Sequence, residues 1–445
     1  MIEDMGYDVI VGGGLCGLTT GFLLAKNRRN CLLLEKGDDV GGLARSFVFD
    51  DIIFDVGPHV LYENDSDRGT LFLKKMLGDS EVIKRPFRYA IISGDKIYKV
   101  PFMLEPLFYP WRFKAEIFGM FFKLITSGAP EASVCQAIES RFGKSFYKSV
   151  FEPFIKKKTG YSGEKLHMDW LARPGRDINN IKKIPNRKGR ADLLKQLKNF
   201  FTSRDYEYPI KGYGEYARHI HHAYQYAGGK TILNCGHISL NCSDSVLDSI
   251  SVSGKKYPVK NLVWTASVNE LNSLLNAKSI IAPYIKSFYV FLTYNGKRNG
   301  QREFLYTYHP QKETLFARIY YPDNIYGDYS PRHKEGICLE INHYPEIENM
   351  TEQEIIDACV RDVEKLGLFK SSKFRHSSII SIKESMPVYG LDYEVIMEKI
   401  FAAQKKYSNI YSIGRTGRFC FCMSPAAVEQ GIEMAEHILV KKNIF

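Results

Sequence analysis

Gly12-Gly13-Gly14-Leu15-Cys16-Gly17 has the GxGxxG spacing that suits a pyrophosphate. Gly12 permits a tight turn, Gly14 lets the backbone approach phosphate oxygens, and Gly17 lets a helix pack closely on a strand. Leu15 and Cys16 fall where a helix would open, and the free N–H groups there would donate to the phosphates. Glu35, followed by Lys36, lies about 20 residues beyond the loop and suits ribose hydroxyls; its charge opposes a 2′-phosphate and disfavours NADP. The elements that must position these groups are readable. Tyr7–Val11 is an apolar run of strand length, Leu18–Lys26 reads as a helix, and Cys31–Leu34 reads as a second strand ending at Glu35.

Two further segments follow at once: Gly41-Gly42-Leu43-Ala44-Arg45-Ser46, then Phe54-Asp55-Val56-Gly57-Pro58-His59 after a short hairpin. A closing segment lies near the carboxyl end. There the strand Asn409–Ile413 turns through Gly414-Arg415-Thr416-Gly417 into a helix over Ala426–Val440. In combination these resemble the flavoprotein superfamily of amine oxidases, protoporphyrinogen oxidases, phytoene desaturases and UDP-galactopyranose mutases. The resemblance implies FAD as cofactor and an α/β fold, with a Rossmann-like FAD-binding domain and a discontinuous α+β substrate domain. It implies that Gly42, Leu43, Ala44 and Arg45 run beside the diphosphate, Arg45 adding a charge-assisted contact. Gly57, Pro58 and His59 would reach the flavin, as would Gly414, Arg415 and, beyond them, Met423. The chain would cross between domains: FAD-binding in 1–85, substrate (mostly helical) in 86–205, FAD-binding in 206–275, substrate (sheet) in 276–380, and FAD-binding in 381–445. A helix over Tyr213–Ala227 and strands over Lys230–Leu233 and Leu262–Ala266 serve the middle crossing.

Several segments resemble the UDP-galactopyranose mutase branch: Gly57–Tyr62, a hairpin in Phe87–Pro101, a helix over Phe142–Lys158, and Phe316-Ala317-Arg318. That branch implies an anionic sugar nucleotide. Arg176 and Arg318 would grip its diphosphate with a fork that lysine lacks, Tyr161, Tyr320 and Tyr321 would offer hydroxyls, and His59 would sit by the flavin. The chain also departs from that branch. Thr159-Gly160-Tyr161 stand where bacterial mutases carry a tryptophan, and Cys422-Met423-Ser424-Pro425 replace the usual N-M-D. The alternative is an FAD-dependent oxidase or dehydrogenase that removes hydride from a C–N or C–C bond. In either case the cofactor carries the hard step, so no protein triad is needed.

Composition bounds the rest. A chain of 445 residues, 44% hydrophobic and 25% charged, is globular and long enough for two or three cores. Its net charge of +11 is concentrated: residues 141–230 hold 20 basic and 8 acidic side chains, an excess that favours an anionic small molecule. These charges are scattered, without a nucleic-acid motif, so nucleic acid is not the expected partner. Nine cysteines without framework spacing fit reduced thiols in a cytoplasmic protein. His219, His221 and His222 do not share a face that would hold a metal. No signal peptide or transmembrane run is readable. Trp111–Thr126 is amphipathic and leaves peripheral membrane contact open. The oligomeric state is open too, a homodimer included.

Overall fold

The structure is a computed structural model that describes residues 6–440, apart from 79, 94–95, 101–131, 173–203, 278–280, 343–346 and 348. Strand β1 (Tyr7–Val11), helix α1 (Leu15–Lys26) and strand β2 (Cys31–Leu34) open the chain, the two strands pairing in parallel. A hairpin of β3 (Ser46–Phe49) and β4 (Ile52–Asp55) follows, then β5 (Leu61–Tyr62), α2 (Arg68–Leu77) and β6 (Val82–Pro86). Next come the hairpin β7 (Tyr89–Ser93) and β8 (Lys96–Val100), and helices α3 (Val134–Phe142) and α4 (Glu152–Thr159). Strand β9 (Asp205–Pro209) joins β5 and β6 in a small antiparallel sheet that leads into α5 (Glu215–Tyr226) and β10 (Lys230–Ile232).

Strands β11 (Ile238–Ser243), β12 (Val246–Val252) and β13 (Lys255–Trp264) form a meander whose last strand runs parallel to β1. A short helix, α6 (Val268–Leu274), then leads to the second large sheet. It contains β14 (Tyr284–Asn295), β15 (Tyr306–Tyr308), β16 (Arg318–Tyr320), β17 (Lys334–Asn342) and β18 (Phe374–Pro387). Helix α7 (Pro322–Tyr326) follows β16, and α8 (Glu352–Lys365) precedes β18. The chain closes with α9 (Tyr393–Ala402), β19 (Ile410–Ser412) and α10 (Ser424–Val440).

The first sheet has the order β10-β2-β1-β13-β12-β11, with β19 also paired to β13. Its parallel centre is covered on both faces, as βαβ crossovers require. Ile10, Leu33 and Val263 pack beneath α1, α5 and α10, whereas Val9, Val11, Leu32 and Trp264 pack the other way, onto the meander. That alternation is the two-residue period of a strand, and each buried Ile, Leu or Val contributes about 1.5–3 kcal/mol. The second sheet has the order β18-β14-β17-β16-β15-β7-β8 and is antiparallel except where β15 meets β7. Tyr289, Phe291 and Tyr320 of this sheet share one core with α1 and α5, so the two large sheets meet through packed side chains.

This is an α/β fold with a Rossmann-like unit and a second, sheet-based unit. Local differences from expectation have physical causes. Helix α1 begins at Leu15 rather than Leu18, because its glycine-rich first turn carries no apolar period. The helix expected over Phe142–Lys158 is broken. Gly143 ends α3 at φ +85°, and a π-turn over Tyr147–Phe151 precedes α4.

Candidate functional site

The glycine loop is built as its residue types demand. Gly12 stands at φ +105°, and a Cβ there would lie 2.4 Å from the Thr265 hydroxyl. That hydroxyl donates to the Val11 and Gly12 carbonyls at 3.0 and 3.1 Å, locking the loop to the end of β13. A Cβ on Gly17 would lie 2.1 Å from the Gly12 carbonyl, so only glycine lets α1 approach β1 this closely. Gly14, the N-cap of α1, is different: an added Cβ there meets nothing within 4 Å. Open space thus faces the helix N-terminus, where a pyrophosphate fits. Leu15 and Cys16 form the first turn and are buried.

Glu35 braces the same loop. Its carboxylate accepts from Gly13 N–H at 2.6 Å and Gly37 N–H at 2.7 Å, and keeps lone pairs for a ribose. Lys36 points to solvent. Gly41 and Gly42, at φ +113° and +55°, curl a short turn (Gly42–Ala44) against Gly14. Arg45 stands at the rim, 3.6 Å from the exposed Asp38, a contact worth under about 1 kcal/mol and easily exchanged for a phosphate.

The second half of the site lies around Gly57. Gly57 turns at φ +78°, where a Cβ would come 3.0 Å from the Tyr289 ring and 3.6 Å from the Arg318 guanidinium. Pro58 and His59 follow, both half-buried. The His59 ring stacks on Tyr213, with centroids 4.6 Å apart, and its Nε2 lies 3.0 Å from the Leu43 carbonyl. A carbonyl only accepts, so Nε2 carries the proton. Burial pulls the His59 pKa down to about 4, more than Asp55 can restore, so the ring is neutral and Nδ1 is an acceptor.

Arg318 on β16 pairs directly with Glu340 on β17, in register, and their side chains form an ion pair. Burial opposes the Arg318 charge, but Glu340 and the surrounding tyrosines outweigh it and push the pKa up. Glu340 is held low by Arg318, with Lys158 next in effect, despite its burial. Lys158 Nζ lies 3.9 Å from Glu340 and 5.5 Å from the Tyr308 ring centroid. Arg318 itself lies over Tyr306 and Tyr308, at 5.3 and 5.7 Å. Arg415 adds a third positive charge that acts on both Glu340 and His59.

The closing segment reaches this place from behind. Gly414 turns at φ +80° against Cys16, and its N–H donates to the Gln430 side chain at 2.9 Å. Arg415 stacks over Phe421 at 5.0 Å, and among the described residues its buried Nε–H has no partner. Met423, 40% exposed, leads into α10.

His59, Arg318, Gly57 and Arg415 therefore come together. Other expected residues do not. Tyr320 is buried, with its hydroxyl on Asp55 at 3.1 Å, and Tyr321 is turned to the opposite side, onto Thr307 at 2.9 Å. Tyr161 stands just beyond α4, 42% exposed. Arg176 lies outside the described residues, as does Trp111–Thr126. Sequence reasoning missed Glu340, Lys158 and Tyr289. Glu340 had a signal: a lone charge inside the apolar run Ile337-Cys338-Leu339-Glu340-Ile341. Lys158 had none, standing in a row of three lysines.

Residues 10–76 match the NAD(P)-binding Rossmann-like domain family. An uncharacterized protein in the nifH2 3′ region of Methanothermococcus thermolithotrophicus is 45% identical over 53 residues, 12% of this chain and 51% of that one. The match thus spans about half the length of that curated relative. Solved structures are similar over nearly the whole chain. A reduced UDP-galactopyranose mutase has a TM-score of 0.76 at 16% identity, covering 98% of this chain and 96% of that one. A putative protoporphyrinogen oxidase from Exiguobacterium has 0.71 at 14%, covering 99% and 100%. Cyclohexylamine oxidase from Brevibacterium oxydans has 0.68 at 12%, covering 99% and 100%. Among the described residues no helix is long and apolar enough to cross a membrane. Over nearly its whole length the chain shares the fold of these three solved structures, with a Rossmann-like unit at residues 10–76.

Proposed function

We propose that this chain is an FAD-dependent enzyme acting on an anionic sugar nucleotide in a UDP-galactopyranose mutase-like reaction. Gly12–Gly17 and Arg45 would hold the diphosphate of FAD, Glu35 its ribose, and the Gly57–His59 and Gly414–Arg415 segments the flavin ring. When bound, FAD supplies a ring nitrogen, N5, that is a nucleophile in the reduced state and a hydride acceptor in the oxidised one. The open cradle at Gly14 is the observation that fits the cofactor.

The observation that carries the substrate class is the gathering of Lys158, Arg318 and Arg415 around a single carboxylate, Glu340, beside a neutral His59. Three cations gathered around that one carboxylate give the cluster a positive excess, which favours an anionic ligand. Arg318 and Lys158 would bind its phosphates, Tyr306 and Tyr308 would line it, and His59 Nδ1 would accept a hydrogen bond near the reacting atoms.

A second reading has its own support. Glu340 already neutralises Arg318, and Tyr89, Tyr306, Tyr308 and Phe154 form a continuous aromatic wall, with neighbouring rings 4.7–5.9 Å apart. Such a wall suits an oxidase or dehydrogenase of a less charged substrate. The protein should be incubated with UDP-galactopyranose and UDP-galactofuranose, with and without dithionite. Interconversion only after reduction supports the mutase reading. No interconversion, with oxygen uptake on amines or porphyrinogens, replaces it with the oxidase reading.

A further inference from the structure

One side chain ties the two halves of the site together, and it belongs to neither the cofactor loop nor the cationic cluster. Asp55, at the end of β4, is fully buried and accepts five hydrogen bonds. Its Oδ1 takes the Ser46 hydroxyl and the Tyr213 N–H, the latter at 2.9 Å. Its Oδ2 takes the hydroxyls of Tyr208, Tyr320 and Tyr326, at 2.7, 3.1 and 3.2 Å. None of these donors is a cation: the Asp55 carboxyl group is held by convergent hydrogen-bond dipoles, an arrangement that tolerates little displacement.

The donors come from opposite sides. Ser46 and Tyr213 stand on the segments that flank the cofactor cradle, and the Tyr213 ring carries His59 on its face. Tyr320 and Tyr326 stand on β16 and α7 of the second sheet, and Tyr320 is two residues from Arg318. The Asp55 carbonyl also accepts from Gly57 N–H at 2.8 Å, which sets the turn on which Arg318 rests.

We propose that Asp55 is a positioning residue that clamps the second sheet to the cofactor side, fixing the gap between the His59 segment and Arg318. This rests on the flavin reading above. Replacing Asp55 by asparagine tests the clamp selectively. The Tyr213 N–H cannot reverse its polarity, so the amide oxygen must stay on that side and the NH2 must face the three tyrosines. Ser46 and Tyr213 then keep their acceptor, while Tyr320 and Tyr326 on the second-sheet side, with Tyr208 of β9, lose one.

The experiment uses FAD-loaded protein and measures iodide quenching of flavin fluorescence, well below the unfolding temperature of each variant. Asp55→Asn is expected to keep bound FAD while its quenching constant rises about threefold or more. Tyr326→Phe, which removes one donor without changing the acceptor, is expected to move it in the same direction by less. Wild-type quenching in both variants overturns the clamp while leaving the flavin reading intact. If Asp55→Asn does not fold, wild-type quenching in Tyr326→Phe overturns it alone. A wild-type protein that holds no FAD sinks the flavin reading and takes this proposal with it.

Discussion

Arg318 and Glu340 face each other across adjacent antiparallel strands, and their side chains meet as an ion pair with exposures of only 14% and 8%. A pair this buried is costly to break one partner at a time, because the survivor is left charged and unpaired; about 3–5 kcal/mol is the usual loss. Arg318→Met and Glu340→Leu should each lower stability on that scale. The double variant should lose clearly less than the sum, since neither partner of the pair is left charged opposite an apolar side chain. Chemical denaturation of the four proteins checks this; additive losses would mean the pair is not energetically coupled. In the same series, Arg318→Met should weaken substrate binding more than FAD binding, and equal effects would remove it from the substrate side.

The glycines of the loop should separate fold from ligand. Gly17→Ala puts a Cβ 2.1 Å from the Gly12 carbonyl, so the helix must move and roughly 1–3 kcal/mol of stability should go. Gly14→Ala meets no atom within 4 Å, and its backbone, at φ −74°, suits any residue. It should cost about 1 kcal/mol or less, as a changed N-cap, while FAD retention falls. Gly14→Glu should abolish retention, because a carboxylate would occupy the phosphate position. Thermal melts beside flavin absorbance distinguish the two; normal FAD content in Gly14→Glu would remove the loop from the cofactor site.

Acid should weaken the fold first through its buried histidines. Burial depresses His59 to about 4, and burial with the nearby Lys157 charge depresses His309 to about 3. In the unfolded chain both take up a proton near pH 6.5, but the folded chain resists. Their penalty is therefore absent above that pH, and stability falls as pH drops from about 6.5 toward 4. Glu340, whose folded pKa is lowered, is stabilising above about 4.5 and loses that contribution only below it. The apoprotein should thus lose stability between pH 6.5 and 4.5, and His309→Gln should flatten that slope. An unchanged slope would show that His309 is protonated without cost.

Some of this site is readable from sequence because its chemistry is a backbone matter. Gly12, Gly14 and Gly17 announce themselves by absence of a side chain at fixed spacing, and Glu35 follows from the length of one βαβ step. Arg318 is marked only by the resemblance of Phe316-Ala317-Arg318 to a segment of the mutase branch. What stayed hidden depends on where distant strands cross. Glu340 is 22 positions from Arg318, and its meaning is set by strand register. The Tyr320 hydroxyl, available by sequence, is taken by Asp55, 265 positions away. Twenty-eight tyrosines offer no local mark that separates a cavity wall from a buried network.

Lys157 and Lys158 make the sharpest contrast, because neighbours on one helix face different surroundings. Lys157 is buried against the second sheet's loop, where it donates to the Gln311 carbonyl and, at 2.8 Å, to the Thr314 hydroxyl. Burial pulls its pKa down to about 7, against the partial support of Asp362 and Glu313. Lys158 instead turns toward Glu340 and Tyr308. Lys157→Met should remove two hydrogen bonds and so lower stability by about 1–3 kcal/mol. Lys158→Met, which leaves Arg318 on Glu340, should cost less stability than Arg318→Met but raise the KM for an anionic substrate several-fold, with kcat changed less, and weaken the salt dependence of binding. If instead Lys158→Met binds substrate normally and Lys157→Met does not, substrate binds on the other side of α4, and the cationic cluster around Glu340 is a piece of packing rather than a binding surface.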